Sequence, residues 1–314
     1  MRSTPTCRPS CGTSPWKGRS SKGAVKMHEE DFTSTGGVRI HMRSWNPAGA
    51  PHGVLVICHG VNSHGGQHAW TAEQFAARGL AVFALDLRGR GKSEGERFYV
   101  EDIADYVADL RGLIAIAKKR HPGLPVFLLG HSAGGVVSCT YALDYQDEID
   151  GLICESFAFQ VPAPGFVLTA IKGLSHVAPK LGVLTLKMKD FTRDPQILAV
   201  LEADPLTKGE SQPAATVAAL VRADERLQAS FSQITVPLLI LHGTADRATV
   251  CQGSEYLHEH AGSTDKTLRL YEGHYHDLLA DLGREEVLSD ISQWIDARMA
   301  RQAQGSSAEP SAAE

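Results

Sequence analysis

The chain reads as an α/β fold: a mostly parallel sheet with helices on both faces and a helical cap inserted late in the sheet. Three observations predict it. From Val38 onward, short apolar runs alternate with helix-like stretches. The runs Val54–Cys58 and Leu80–Leu85 are continuously apolar, as strands covered on both faces are. The alternation then breaks off between about Ser156 and Gln233, a stretch too long for a simple connection and with helix-like segments of its own. Inserted there, it would sit over the carboxyl ends of the strands, where open α/β sheets keep their ligand sites.

The elements follow in order. Val38–Trp45 reads as an edge strand, Val54–Cys58 as a buried one, Trp70–Ala77 as a helix and Leu80–Leu85 as a second buried strand. Ile103, Val107, Leu110 and Ile114 recur at helical spacing, predicting a helix over Ile103–Lys119 that stops before His121-Pro122-Gly123. Val126–Leu129 is a short apolar strand, Val136–Leu143 can start a helix, and Gly151–Cys154 is the next strand. After the interruption come Pro237–Leu241, a helix through Tyr256, the strand Thr267–Tyr271 and a last helix from about Glu285 to Arg301. This divides the chain into a core of 27–155 and 234–301, a cap of 156–233, and two low-complexity ends, 1–26 and 302–314.

Composition sets the limits. With 43% hydrophobic and 21% charged residues the chain is that of a soluble globular protein, and no stretch approaches the roughly 18 unbroken apolar residues of a membrane span. Residues 1–26 hold six basic residues and no acid, a charge of +6 that leaves −11 for the rest of a chain whose net charge is −5. Without an apolar core this segment is not a secretory signal. It reads as a disordered tail or a start placed too early, with Met27 opening the domain. Of six cysteines, Cys58, Cys139 and Cys154 fall in apolar runs where a thiol behaves as a small hydrophobe. No metal-type spacing or disulfide framework is present. A cytoplasmic setting, with peripheral contact at membrane surfaces, is expected, and neither a cofactor, a metal nor a nucleic-acid partner.

Chemistry concentrates at Leu128-Leu-Gly-His-Ser-Ala-Gly-Gly135, where a strand end runs into Gly-x-Ser-x-Gly and then a helix. This is a nucleophile elbow in its structural context. Ser132 sits on a tight turn, Gly130 and Gly134 allow close backbone approach, and the helix N-terminus favours developing negative charge. A serine nucleophile needs a base, and the base an orienting acid. The string Leu238–Asp246 brings an acid just past a buried strand, and Leu268–His276 a histidine just past the next. Both strand ends lie on the elbow's edge of a parallel sheet, so Ser132, Asp246 and His276 can converge across separations of 114 and 30 residues. Glu155, at the end of the strand after the elbow helix, is the alternative acid. His274 is the alternative histidine, read instead as a solvent-facing loop residue; a His274–His276 metal pair has no third ligand nearby. Donors for an oxyanion are expected at the backbone N–H of Ala133 and of Val61, in the loop after Val54–Cys58. His59, Gly60, Asn62, His131, Phe157 and Phe159 are expected to line the substrate path.

With these strings in view, and with Asp86-Leu-Arg-Gly-Arg-Gly-Lys-Ser-Glu-Gly95, Asp194-Pro195 and Asp204-Pro-Leu206, the chain resembles the monoacylglycerol lipase and lysophospholipase-like group of α/β-hydrolases over about residues 28–300. The resemblance implies an α/β-hydrolase fold and cofactor-free hydrolysis of a small-molecule carboxylic ester. It implies Ser132 as nucleophile, His276 as base, Asp246 as orienting acid, and Val61 and Ala133 as oxyanion donors. Ser63 stands where the family often has an acid before the position of His64, and Asn62 replaces a commonly small residue; both border the acyl entrance. A thioesterase, a peptidase of the proline-iminopeptidase type, and a non-catalytic ligand-binding relic are the alternatives.

The cap carries one more pattern. Between Ser156 and Lys189 there is no acid but four lysines, Lys172, Lys180, Lys187 and Lys189. Phe166, Ala170, Leu174 and Val177 recur at helical spacing, widened by Val167 and Ile171. One reading is a stripe that roofs the core with solvated lysines above it. The other is an apolar, cationic lid that touches lipid surfaces.

Overall fold

Residues 25–159 and 165–306 are described by the computed structural model. The chain runs β1 (Lys26–Thr33), β2 (Arg39–Asn46), β3 (Gly53–Cys58), α1 (Ala69–Ala77), β4 (Leu80–Leu85), α2 (Ile103–Arg120), β5 (Val126–His131), α3 (Ala133–Tyr145) and β6 (Gly151–Glu155). The cap segment holds α4 (Gly165–Val177), β7 (Gly182–Leu184), α5 (Pro195–Ala203), β8 (Gln212–Pro213) and α6 (Ala214–Ser230). Then come β9 (Leu238–Gly243), α7 (Cys251–His260), β10 (Lys266–Tyr271) and α8 (Arg284–Ser306). Eight strands form one sheet in the order β1-β2-β4-β3-β5-β6-β9-β10, parallel except where β2 meets β1 and β4.

Every residue of β3, β4, β5, β6 and β9 is buried, which is why these strands read as continuous apolar runs. One face packs on α2, α3 and α6 through Val56, Leu128, Leu110, Val137 and Leu227. The other packs on α1 and α8 through Leu55, Leu129, Phe75, Ile291 and Ile295. α6, though within the inserted segment, thus buries Ala219, Ala223 and Leu227 in the main core.

The sheet has a strand that hydrophobic patterning does not reveal. β2 is not the edge; β1 covers it, pairing Glu29 with Arg43 and Asp31 with His41. Arg43 Nε lies 3.0 Å from Glu29 Oε1 and His41 Nδ1 2.8 Å from Asp31 Oδ1. This polar hairpin is held by cross-strand charge pairs, which leave no apolar alternation to read. Both ends of the domain also extend further than expected. Val25 packs against the α1 and α8 side of the core, Lys26 opens β1, and α8 runs on to Ser306. The rest of the expected tails, residues 1–24 and 307–314, lie outside the described residues. Cys58, Cys139 and Cys154 are free and buried, in line with their apolar context.

Candidate active site

β5 delivers the chain to Ser132, whose backbone takes φ 55° and ψ −123° before α3 begins at Ala133. That left-handed conformation costs a non-glycine residue on the order of 1–3 kcal/mol, so its surroundings must impose it. They do so by contact. A Cβ on Gly134 would stand 2.2 Å from the Cys58 carbonyl oxygen, and one on Gly60 would stand 2.7 Å from Ser132 Cβ. The loop after β3 is therefore pressed onto the elbow itself. Within that loop the N–H of Val61 has no acceptor among the described residues. Ala133, the first residue of α3, has no earlier helical turn to receive its N–H.

His276 follows β10 and Asp246 follows β9, and the two meet: His276 Nδ1 lies 2.7 Å from Asp246 Oδ2. The Ser156 hydroxyl donates to the His276 carbonyl at 2.6 Å, fixing its main chain. Asp246 is closely held. Its Oδ1 accepts the N–H groups of Ala248 and Thr249 at 2.7 and 3.1 Å, and its Oδ2 the Thr249 hydroxyl at 2.8 Å. Burial works to raise its pKa, but the charges and hydrogen bonds of His276 and His242 outweigh it and hold the carboxyl well below the usual range. The second ring nitrogen of His276, Nε2, has no partner among the described residues and remains available for proton transfer. Glu155 lies elsewhere. Its Oε1 accepts the Leu279 N–H at 3.0 Å, burial raises its pKa, and among the described residues it forms no hydrogen bond or ion pair with His276.

His274 is not solvent-facing. It is buried against Tyr271, ring centroids 5.5 Å apart, with Nδ1 4.0 Å from Asp281. His131 Nε2 is 2.9 Å from Asp277 Oδ1. Burial opposes a charge on this imidazole, but the Asp277 carboxylate prevails and lifts its pKa to about 9. His131, His276 and Asp277 bring ligand-type atoms within 4.8 Å of one another, though His276 Nδ1 is engaged by Asp246 and Asp277 by His131.

The residues expected along the substrate path divide. Gly60 abuts Ser132, and Asn62 lines a cavity of about 420 Å³ beneath the cap, with Thr185–Lys189, Leu201, Glu202 and Thr207–Glu210. His59 is a tie between loops: its Nδ1 meets the Gly60 carbonyl at 2.7 Å and its Nε2 accepts the Leu87 N–H at 3.0 Å. Burial holds its pKa well below the usual value, consistent with that neutral, fully bonded ring. Phe157 and Phe159 are buried, stacking on each other and, with Phe231 and the partly buried Tyr256, forming an aromatic cluster at the core. Sequence order put them just past β6, but a chain leaving a buried strand first fills the core. A larger cavity of about 920 Å³, between α2, α3 and α6, contains none of the candidate site residues.

Three contributors escaped the sequence reading. Phe191 of the cap meets His276 edge-on at 5.0 Å, and nothing in its sequence neighbourhood signals that. Thr249 and His242 both bond Asp246; the signal for His242 was its place four residues before the acid on the same strand end. The cap stripe is divided between the two readings the sequence leaves open. None of α4 is fully buried; Phe166 and Val177 are 77% and 84% exposed, while Val167, Leu168, Ile171 and Leu174 are half-buried. Lys172 and Lys180 are tied to Glu225 and Glu96.

The chain was compared with known proteins. The family described as "Serine aminopeptidase, S33" matches residues 49–283. The monoacylglycerol lipase of Mycolicibacterium smegmatis is 36% identical over 270 residues, 85% of this chain and 96% of that protein. The human monoglyceride lipase is 34% identical, covering 84% and 89%. The crystal structure of the Paleococcus ferrophilus monoacylglycerol lipase superposes with a TM-score of 0.73 at 27% identity, over 87% of this chain and all of that one.

Two measurements check this geometry. Gly60→Ala should lower ester turnover by about 10²-fold or more, because the added methyl must push the loop off Ser132, and an oxyanion donor lost typically costs that much. Because the folded His131 pKa is raised above its unfolded value, the His131–Asp277 pair stabilises fully below about pH 6.5 and loses this effect as pH rises through about 9. Asp277→Asn should therefore cost roughly 2 kcal/mol of unfolding free energy near pH 6, shrinking towards zero near pH 10 in urea titrations.

Proposed function

Because this chain belongs to the serine aminopeptidase S33 family, among its monoacylglycerol-lipase-like α/β-hydrolases, it is a serine ester hydrolase, and we propose that Ser132, His276 and Asp246 carry out the reaction. The observation that supports this most is the 2.7 Å contact between His276 and Asp246, at strand ends beside the Ser132 elbow. Ser132 Oγ attacks the ester carbonyl as His276 Nε2 takes its proton. Asp246 keeps the remaining imidazole proton on Nδ1 and stabilises the imidazolium. The N–H groups of Val61 and Ala133 receive the oxyanion. The alcohol leaves with the proton from His276, and water then cleaves the acyl-enzyme by the same steps in reverse roles.

The substrates proposed are monoacylglycerol-like or other short-to-medium acyl esters, entering by the cavity at Asn62. Lys187, Lys189 and Lys208 line it, and of its two acids Glu210 is ion-paired with Arg90. A peptidase reading for an amino-terminal amine calls for an acidic subsite, and this lining disfavours it.

The outward Phe166 and Val177, with Leu181 53% exposed, favour a lid that meets a lipid surface over a roof buried on the core. No described helix is long and apolar enough to cross a membrane, so this contact would be peripheral.

Ser132→Ala should abolish fluorophosphonate labelling and cut esterase activity at least ~10³-fold. Asp246→Asn should be comparably severe and Glu155→Gln mild; the opposite order would reassign the acid. With anionic vesicles, hydrolysis of a medium-chain monoglyceride should rise and then fall with added salt. Replacing Phe166 and Val177 by serine should remove most of that rise while sparing a soluble short-chain ester.

A further inference from the structure

Three segments far apart in sequence meet in a buried knot beside the oxyanion loop. Arg90, in the turn after β4, is 1% exposed, and its guanidinium pairs with Glu210 from the base of the cap. Its other groups are also used: Nη2 donates to Gln212 Oε1 at 2.7 Å and Nε to the Tyr106 hydroxyl at 3.2 Å. The same Glu210 oxygen accepts the backbone N–H of Asn62 at 2.8 Å, across 148 residues of sequence. The Gln212 amide donates to that oxygen at 2.6 Å and to Asn62 Oδ1 at 3.2 Å. Asn62 itself has φ 55°, a backbone that needs holding. A buried ion pair is a poor source of net stability, because desolvation offsets most of its attraction, but it fixes geometry closely. The geometry it fixes here is the peptide joining Val61 to Asn62.

We propose that Glu210 is a positioning residue that holds the Val61–Asn62 peptide in register with Ser132, so that the seating of the cap base decides whether the oxyanion site is formed. This rests on Val61 N–H being an oxyanion donor. The carboxylate touches no reacting atom. It acts by accepting the one N–H whose release would let the Asn62 peptide turn and carry Val61 away from the elbow. The lateral support comes from Arg90 and Gln212, which leave Glu210 Oε1 no freedom to follow.

Three variants separate this from a role in folding alone. Glu210→Asp keeps the charge pair but withdraws the carboxylate from Asn62. Arg90→Met with Glu210→Gln removes both charges and keeps an acceptor. Arg90→Met with Glu210→Leu removes the charges and the acceptor. Turnover of a soluble short-chain ester is measured per fluorophosphonate-labelled site, so unfolded molecules do not count. Expected are a fall in kcat of about 10-fold for Glu210→Asp and about 30-fold for the leucine pair, with KM within about threefold and most of kcat recovered in the glutamine pair. Affinity for an alkyl boronate, which forms a tetrahedral anionic adduct, should fall in step with kcat, while a non-hydrolysable ether analogue binds as before. Equal kcat per labelled site in the wild type and in whichever of the variants fold overturns the proposal. So does a boronate affinity that stays level while kcat falls. If the wild type itself neither labels at Ser132 nor hydrolyses the ester, the functional reading fails instead.

Discussion

The site depends on a steric constraint at one turn. The chain must leave a buried strand, present the Ser132 hydroxyl beyond the sheet and enter a helix within a single residue, and it does this by taking φ 55°. Nothing about serine favours that conformation; the neighbours enforce it. The β3 carbonyls press on Gly134, and Gly60 lies against the serine Cβ, leaving no room for a relaxed backbone. The same closeness sets the loop of Gly60, with Val61 next in the chain, against Ser132. The position of the serine and the formation of the oxyanion loop are therefore one packing problem, solved by residues that lack a side chain.

Around that turn the electrostatics are arranged in two shells of different character. Asp246 is saturated with donors from its own loop, from Thr249 and from two histidines, and so remains ionised and immobile beside His276. His131 and Asp277 form a second pair, with the His131 ring 5.0 Å from that of His276. Phe191 packs edge-on against the imidazole from the cap side, and the His276 and Asp246 side chains are both buried, a low-dielectric setting that strengthens their contact.

Much of this was legible in the sequence because it rests on short-range signals. The buried strands announce themselves as unbroken apolar runs, and the glycines bracket Ser132. Asp246 and His276 each lie just beyond a strand, where a parallel sheet must place them together. What was not legible is what depends on pairing across the fold. β1 is nearly all polar and gains its place from Glu29 and Asp31 meeting Arg43 and His41, a partnership no window of sequence contains. Phe157 and Phe159 stand just past a strand end in the chain, and no window of sequence shows that they join Phe231 in the core cluster. In α4 the apolar stripe was legible but what it meets was not, since the helical period identifies a face without saying what covers it.

The insertion between β6 and β9 has a consequence for how such a protein can change over time. Those two strands are hydrogen-bonded neighbours in the sheet, so the roughly eighty residues between them leave and return at almost the same place. Closing a loop whose ends are already held together costs little more as it grows, about 0.6 kcal/mol for each doubling of length. The roof can therefore be lengthened, trimmed or exchanged at small thermodynamic expense while the machinery below stays in register. The freedom stops where residues of the insertion reach down into the body: at Asp204 on His64, Glu210 on Asn62, Arg193 on Asp281, and along α6, whose Ala219, Ala223 and Leu227 fill the main core. A newly acquired roof must replace those anchors before it can inherit the chemistry beneath.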